Sequence, residues 1–156
     1  MPNYDLITNK AEDALIDYIG DNLPSGLAGV QVSKLDDDTA RVMPFVLVKA
    51  ESAEERVFGH GIYDVNMSVV LNSQADDTTE ATHKQNAGDL FSELADFDAI
   101  KTALNKPDGA DSRTVTDFHI YNIRLSGTQH EMDGEEAVRM AGIAVHLICQ
   151  GKDVAP

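Results

Sequence analysis

The sequence predicts an α+β fold, in which helices pack on one face of an antiparallel or mixed β-sheet. Two segments, Gly61 to Asn72 and Gly142 to Cys149, alternate between apolar and polar residues. This period of two is typical of strands with one buried face. Between Asn3 and Asn22 apolar residues recur instead every three or four positions, which is typical of a helix. The predicted element order is α-β-β-β-α-α-β-β, and it favours a sheet covered by helices on one side.

The first half of the chain is predicted to form one helix and three strands. The helix runs from Asn3 to Asn22 and ends before Pro24, because proline cannot continue a helix. A short strand begins at Val30, and a nearly continuous apolar run from Met43 to Ala50 predicts a second, buried strand. The charged, glycine-ended segment from Glu51 to His60 is predicted to be an exposed loop or an extended arm. The long alternating strand follows it.

Two helices are predicted after the third strand. Asp77 or Thr78 is a candidate N-cap for a helix that runs to about Leu94, because short polar side chains accept hydrogen bonds from the first free amides of a helix. A shorter helix is predicted from Asp98 to Asn105. Both present an apolar stripe, which we expect to face the sheet.

The last third of the chain is predicted to be a β-hairpin. Its first strand runs from about Val115 to Leu125, with a bulge or a change of face near His119, where the apolar parity shifts. Its second strand runs from Ala137 to Cys149. The polar stretch from Ser126 to Glu135 is predicted to form the tip of the hairpin.

Composition and charge limit the classes of function. The chain has 156 residues, which predicts a single domain over 1–156. Its 27 acidic and 12 basic side chains give a net charge of −15, which predicts repulsion from nucleic-acid phosphates and from anionic membranes. No apolar run is long enough for a membrane span, and no signal peptide is recognisable. We therefore expect synthesis in a cytosol. The acidic charge suits solubility, a saline habitat or the wall of a passage along which DNA slides.

Catalytic patterns are weak in this sequence. The five histidines do not pair at the spacings that place two metal ligands on one strand or helix. No serine stands in a nucleophile elbow, and Cys149 is predicted to be a buried, reduced thiol on the apolar side of its strand. Asp64 with Asn66, and Glu135 with Glu136, are carboxylate-bearing pairs that nothing distinguishes from a solvated surface. We expect no catalytic residue, no metal and no cofactor.

The chain resembles the tail terminator and neck proteins, which are head–tail connector proteins of tailed bacteriophages. The resemblance extends over most of the chain and rests on the order and spacing of its elements. The stretches that carry it are Pro44–Ala50 followed by Glu54–Arg56, then Gly61–Asp77, Ala87–Phe91, Asp98–Asn105 and Phe118–Leu125.

The resemblance implies a virion protein of the tail or neck, made in the host cytoplasm. It implies a small subunit that closes into a homo-oligomeric ring, commonly a hexamer. This ring caps the tail tube and docks the head connector or stopper protein, and genome DNA passes through its lumen without specific binding. No membrane partner is implied, and other neck roles, such as stopper, adaptor or minor tail protein, remain open.

We expect the interfaces of such a ring at the arm 51–60, at the hairpin tip 127–135 and at arginines in the strands, since strand arginines often form ion pairs between subunits. The predicted interface residues are Glu54, Glu55, Arg56, Phe58, His60, Arg124, His130, Glu131 and Arg139. A small acidic module that binds a basic partner is the alternative from another class. A small hydrolase or isomerase is the third hypothesis, and it requires a deep pocket that gathers histidines and acids.

Overall fold

The computed structural model describes residues 7–34, 44–56, 61–75, 78–105, 118–133 and 137–151. These residues form three α-helices and five strands in the predicted order, with one short 3-10 turn added. The helices are α1 (Ile7–Asp21), α2 (Glu80–Ala95) and α3 (Phe97–Leu104), and the 3-10 turn is Ser25–Leu27. The strands are β1 (Gln31–Lys34), β2 (Phe45–Glu55), β3 (Ile62–Gln74), β4 (Phe118–Asp133) and β5 (Val138–Gly151).

The strands form one mixed sheet in the order β1-β2-β3-β5-β4. β1 pairs with β2 in parallel, and every other neighbouring pair is antiparallel. The central strand β3 pairs with β5 along its whole length, from Ile62 opposite Gln150 to Gln74 opposite Val138. The predicted alternation is confirmed, since Val65 to Leu71 bury every second side chain. Cys149 is also buried, as predicted.

The three helices cover one face of the sheet, and the core lies between the two layers. α1 packs on β1 and β2, α2 approaches β5, and α3 packs on β4. The buried faces of α1 and α2 include Leu15 and Leu90, each fully covered. Burial of such a side chain contributes about 1.5–3 kcal/mol. The hydroxyl of Tyr18 donates to the carbonyl of Glu93 at 3.3 Å and ties α1 to α2.

Helix α2 begins at a cap one or two residues beyond the predicted candidates, and helix α3 begins at Phe97, one residue before its predicted start. Thr79 caps α2, because its Oγ1 accepts a hydrogen bond from the Thr82 amide at 3.2 Å. The prediction of Thr78 as the cap is therefore wrong, and Asp77 lies outside the described residues. Asp96 caps α3, and its carboxylate accepts from the Ala99 amide at 3.2 Å.

Two strands are longer than the sequence predicts. β2 continues to Glu55, opposite Tyr63 of β3, so residues 51–55 are strand and not loop. β4 continues to Asp133, opposite Val138, so most of the predicted polar tip is strand as well. In both cases a neighbouring strand supplies backbone hydrogen bonds, while the polar side chains remain at the surface. The sequence pattern predicts burial better than it predicts pairing.

The change of face in β4 occurs at a bulge two residues beyond the predicted position. The register shifts between Ile120 and Asn122, which leaves Tyr121 as the extra residue, and shifts again between Leu125 and Gly127. Ile120 and Ile123 are therefore both buried although their parities differ. Gly127 has a φ of 139°, a conformation that residues with a Cβ atom rarely adopt.

Side chains cap backbone groups at both margins of the sheet. The amide of Ala50, on β2 beyond the end of β1, donates to Oε2 of Glu12 at 2.9 Å. On β4, the Asn105 side chain accepts from the Ile120 amide at 2.7 Å and donates to the Ile120 carbonyl at 2.8 Å. Unpaired backbone groups at a sheet edge can pair with strands of other chains. These hydrogen bonds therefore block such pairing at two points of the sheet.

Candidate functional site

The face of the sheet opposite the helices carries four of the nine predicted interface residues, namely Glu54, Arg56, Arg124 and Glu131. No helix among the described residues covers this open face, which is made by alternate residues of β2, β3, β5 and β4. Its cross-strand rows include Glu54 with Asp64, and Arg124 with His146. The open face is therefore the uncovered side of the described sheet.

An ionic cluster lies at one end of the open face. Asp64 is at its centre, with Oδ2 at 3.1 Å from Nε of Arg56 and Oδ1 at 3.0 Å from Nε2 of His146. Glu54 and Arg124 stand beside it in the register. The side chain of Asp64 is 30% exposed and that of Arg56 50%, and ion pairs this exposed contribute only about 0.2–1 kcal/mol. The cluster therefore contributes little to the stability of the fold and is better suited to recognition of a binding partner.

The facing ends of β2 and β3 hold the other described residues of the predicted arm. Oε2 of Glu55 accepts from the Gly61 amide at 3.3 Å, and the Arg56 amide donates to the Ile62 carbonyl at 2.7 Å. Phe58 and His60, both predicted to lie at an interface, are outside the described residues. The structure therefore places three of the five predicted arm residues at the end of the β2–β3 hairpin, beside Asp64.

A second cluster lies at the other end of the sheet, where β4 and β5 meet α2. A shallow cleft of about 250 Å³ gathers His130, Glu131 and Arg139, all predicted interface residues. Helix α2 adds His83 and an ion pair between Lys84 and Glu80, with 2.9 Å between its charged atoms.

Two contacts hold this cleft together. The His83 and His130 rings lie 6.2 Å apart, centroid to centroid, and are nearly perpendicular. Nε of Arg139 donates to the Thr78 carbonyl at 3.3 Å, which anchors β5 to the start of α2. The sequence did not indicate this grouping, because His83 and His130 are far apart along the chain.

His83 is the buried polar group of the cleft. Its Nδ1 lies 3.0 Å from Oγ of Ser73, and Nε2 has no hydrogen bond of normal geometry to a described residue, although the Met140 carbonyl weakly favours the protonated ring. Burial lowers the pKa of His83, and the His130 and Arg139 charges lower it further.

A serine next to a histidine suggests a nucleophile and its base, so the exposure of the serine decides what this pair does. Ser73 is only 1% exposed, and its hydroxyl faces the core side of the sheet. A substrate carbon has no access to it in this conformation. Ser73 and His83 therefore act as a buried polar pair that joins α2 to β3.

The described residues contain no group of three or more His, Cys, Asp or Glu side chains placed to hold a metal ion. None of their helices is both long enough and apolar enough to cross a bilayer.

The fold has a counterpart among solved structures. No protein-family model matches the chain, and no curated protein matches it. A chain in the structure of the virion of a native gene transfer agent particle aligns with 90% of this chain and 94% of its own length, with a TM-score of 0.64. The two chains share a fold. Their identity is 13%, so the likeness concerns the arrangement of elements.

Sequence reasoning missed Asp64 and His83 as organising residues. His146 lies on the open face, against Asp64. The even parity of Asp64 and His146 is visible in the sequence, but their contact depends on the register of β3 against β5.

Proposed function

We propose that this protein is a virion structural subunit of the tail terminator or neck type. The observation that carries the proposal is the fold shared with a virion chain over nearly the whole length of both. In this role, copies of the chain form a ring, most simply a hexamer. The ring caps the tail tube, docks the head connector or stopper protein, and surrounds a lumen through which DNA passes.

The uncovered sheet supports an assembly role. A ring joins one surface of each subunit to a different surface of the next, so each copy needs two distinct contact surfaces. The open face supplies one and the helical layer the other. The clusters around Asp64 and around Arg139, at opposite ends of the sheet, provide charged groups for subunit, tube or connector contacts.

The charge distribution agrees with passage of DNA. The three helices carry eight acidic and three basic side chains, within a chain of net charge −15. Carboxylates repel the phosphate backbone, so a lumen lined by them does not retain the duplex.

Electron microscopy of the purified protein, alone and mixed with its tail tube protein, tests this function. We expect rings with an open centre, and rings at one end of each tube. Sedimentation over a wide concentration range measures the assembly in parallel. A particle that stays monomeric at high concentration and leaves tube ends bare would contradict the proposal.

A small acidic binding module is the second candidate, favoured by the acidic helical layer. Such a module captures basic proteins as a monomer, whereas the ring assembles without them. Sedimentation with and without a basic protein therefore separates the two candidates.

A further inference from the structure

The open face contains a hollow whose floor is formed largely by small residues. Across β3, β5 and β4, Ser68 lies opposite Ala144 and Ala144 opposite Gly127, while Gly142 occupies the next row of β5. Because these side chains are small or absent, a cavity of about 480 Å³ opens over the sheet, with Met140 at its margin. The hollow lies between the two charged clusters described above, and Glu131 borders both the hollow and the second cluster.

The fold does not require all of these residues to be small. A Cβ atom at Gly142 would meet nothing nearer than the Gln129 carbonyl at 3.9 Å, an ordinary contact. Gly127 is explained by its backbone angle at the bulge, but Gly142 is not. A glycine inside a strand that neither its backbone angle nor a close neighbour requires is typical of a place that another molecule approaches closely. This surface therefore has the shape of a receptor for a protruding side chain.

One large apolar side chain is partly exposed in the opposite layer of the molecule. The described residues expose three large apolar side chains, and two of them, Tyr121 and Met132, lie on β4 of the sheet itself. The third is Phe97, 38% exposed at the start of α3 in the helical layer. A ring contact joins different surfaces of two copies, so Phe97 is the projection suited to the hollow of the next copy.

The charges beside the two features are complementary. Asp98 follows Phe97 and is exposed, with no ion pair to any described residue. Arg124 is exposed near the hollow, opposite His146, two residues along β5 from Ala144, and it also has no ion pair within the described part of the chain. Two residues of a strand span about 7 Å, within reach of an arginine side chain.

We propose that Phe97 of one copy enters the hollow at Gly142 and Ala144 of the next copy, while Asp98 pairs with Arg124. The inference rests on the proposed ring and specifies the two surfaces that build it. Each contact around the ring buries an apolar side chain beside an ion pair. Many stable interfaces have such an apolar centre bordered by charged groups.

The experiment measures assembly of full-length variants by sedimentation and electron microscopy. Ala144→Leu fills the hollow, and Phe97→Ala removes the projection. We expect either change to weaken assembly by about tenfold or more, as removal of a central anchor does. Ala81→Leu, an exposed alanine on α2, is the matched control and leaves the rings intact. Circular dichroism of each variant verifies the fold.

A charge exchange tests the orientation without depending on the hollow. Arg124→Glu and Asp98→Lys each weaken the rings, and the double variant restores them. Failure of the double variant to restore assembly, with each variant folded, overturns the inference.

If the wild type forms rings and every variant forms them equally well, the inference is overturned and the proposed function stands. Rings that persist in Ala144→Leu but no longer cap tubes assign the hollow to the tube protein, which also overturns it. A wild type that never forms rings overturns both.

Discussion

At the scale of single residues, burial is the main cause of the shifted pKa values of Cys149 and His83. Cys149 is fully buried on β5, and His83 lies between α2 and the sheet. In each case the low-polarity surroundings disfavour the charged form, so the thiolate and the imidazolium are both suppressed. We therefore expect both groups to be uncharged at neutral pH in the folded protein.

Cys149 is expected to be unreactive in the folded protein. Burial, and secondarily the charge of Asp64, raise the pKa of Cys149 to about 12. At pH 8 the thiolate then makes up about one part in 10⁴, so labelling by a thiol reagent is negligible until the chain unfolds. Labelling rates with and without guanidinium chloride measure this. Ala81→Cys in a Cys149→Ala background places an exposed thiol on α2, outside the proposed contact, as a positive control. Rapid labelling of the folded wild type would contradict the prediction.

His83 is expected to make the protein less stable in mild acid. Because its pKa is lower in the folded state than the ordinary value of 6.5, the unfolded chain binds the proton more readily. The stability is complete above pH 6.5 and falls as the pH decreases toward the folded-state value. Denaturant titrations at pH 7.5 and pH 5 measure the loss, and His83→Asn should show a smaller one. Equal losses in the two proteins would mean that another group is responsible.

At the scale of elements, β4 is the strand whose length and irregularity define the outer margin of the sheet. It has two bulges, it carries Arg124, His130 and Glu131, and α3 lies against its start. The Asn105 side chain behaves there like one residue of an additional strand, because it satisfies both backbone groups of Ile120. The end of α3 thus protects the edge at the point where the first bulge begins.

Asn105→Ala is expected to destabilise the fold by about 1–3 kcal/mol, because two backbone groups of Ile120 lose their partners. Thr102→Ala, at an exposed position of the same helix, is the matched control and should change stability by less than about 0.5 kcal/mol. Thermal or denaturant unfolding measures both. If the two variants are equally stable, the side-chain bonds to Ile120 do not protect the edge.

At the scale of the whole molecule, charge opposes compactness. A net charge of −15 on 156 residues makes the folded state repel itself, since folding brings the carboxylates closer together. Neighbouring subunits of the proposed ring would experience the same repulsion. The cations of the open face and the ion pair between Arg56 and Asp64 offset it only locally.

Moderate salt is therefore expected to stabilise the protein. Raising the ionic strength from about 0.01 M to about 0.1 M shortens the screening length from about 30 Å to about 10 Å. We expect the unfolding temperature to rise by roughly 2–5 °C. Calorimetry in sodium chloride and in potassium chloride should give the same rise, because screening depends on ionic strength. A fall in unfolding temperature would mean that attractive ion pairs dominate the electrostatics.

The candidate site was predictable in part. Glu54, Arg56 and Arg124 were singled out as strand or arm residues, and the structure brings them to the same end of the open face. Their meeting point, Asp64, was not singled out, because any of the many carboxylates matched the sequence pattern equally well. Likewise, nothing in the sequence placed His83 beside His130, a contact across two elements.

The amino-acid pattern by itself determined the kinds of elements, their order and the faces that they bury, because apolar periodicity is a local property of the chain. It also determined the acidic character and the buried state of Cys149. Only the tertiary structure decided how far β2 and β4 extend, which residues lie opposite each other, and where the hollow at Gly142 opens. Those features depend on hydrogen bonds between distant strands, and a one-residue change of register would move every side chain to the other face.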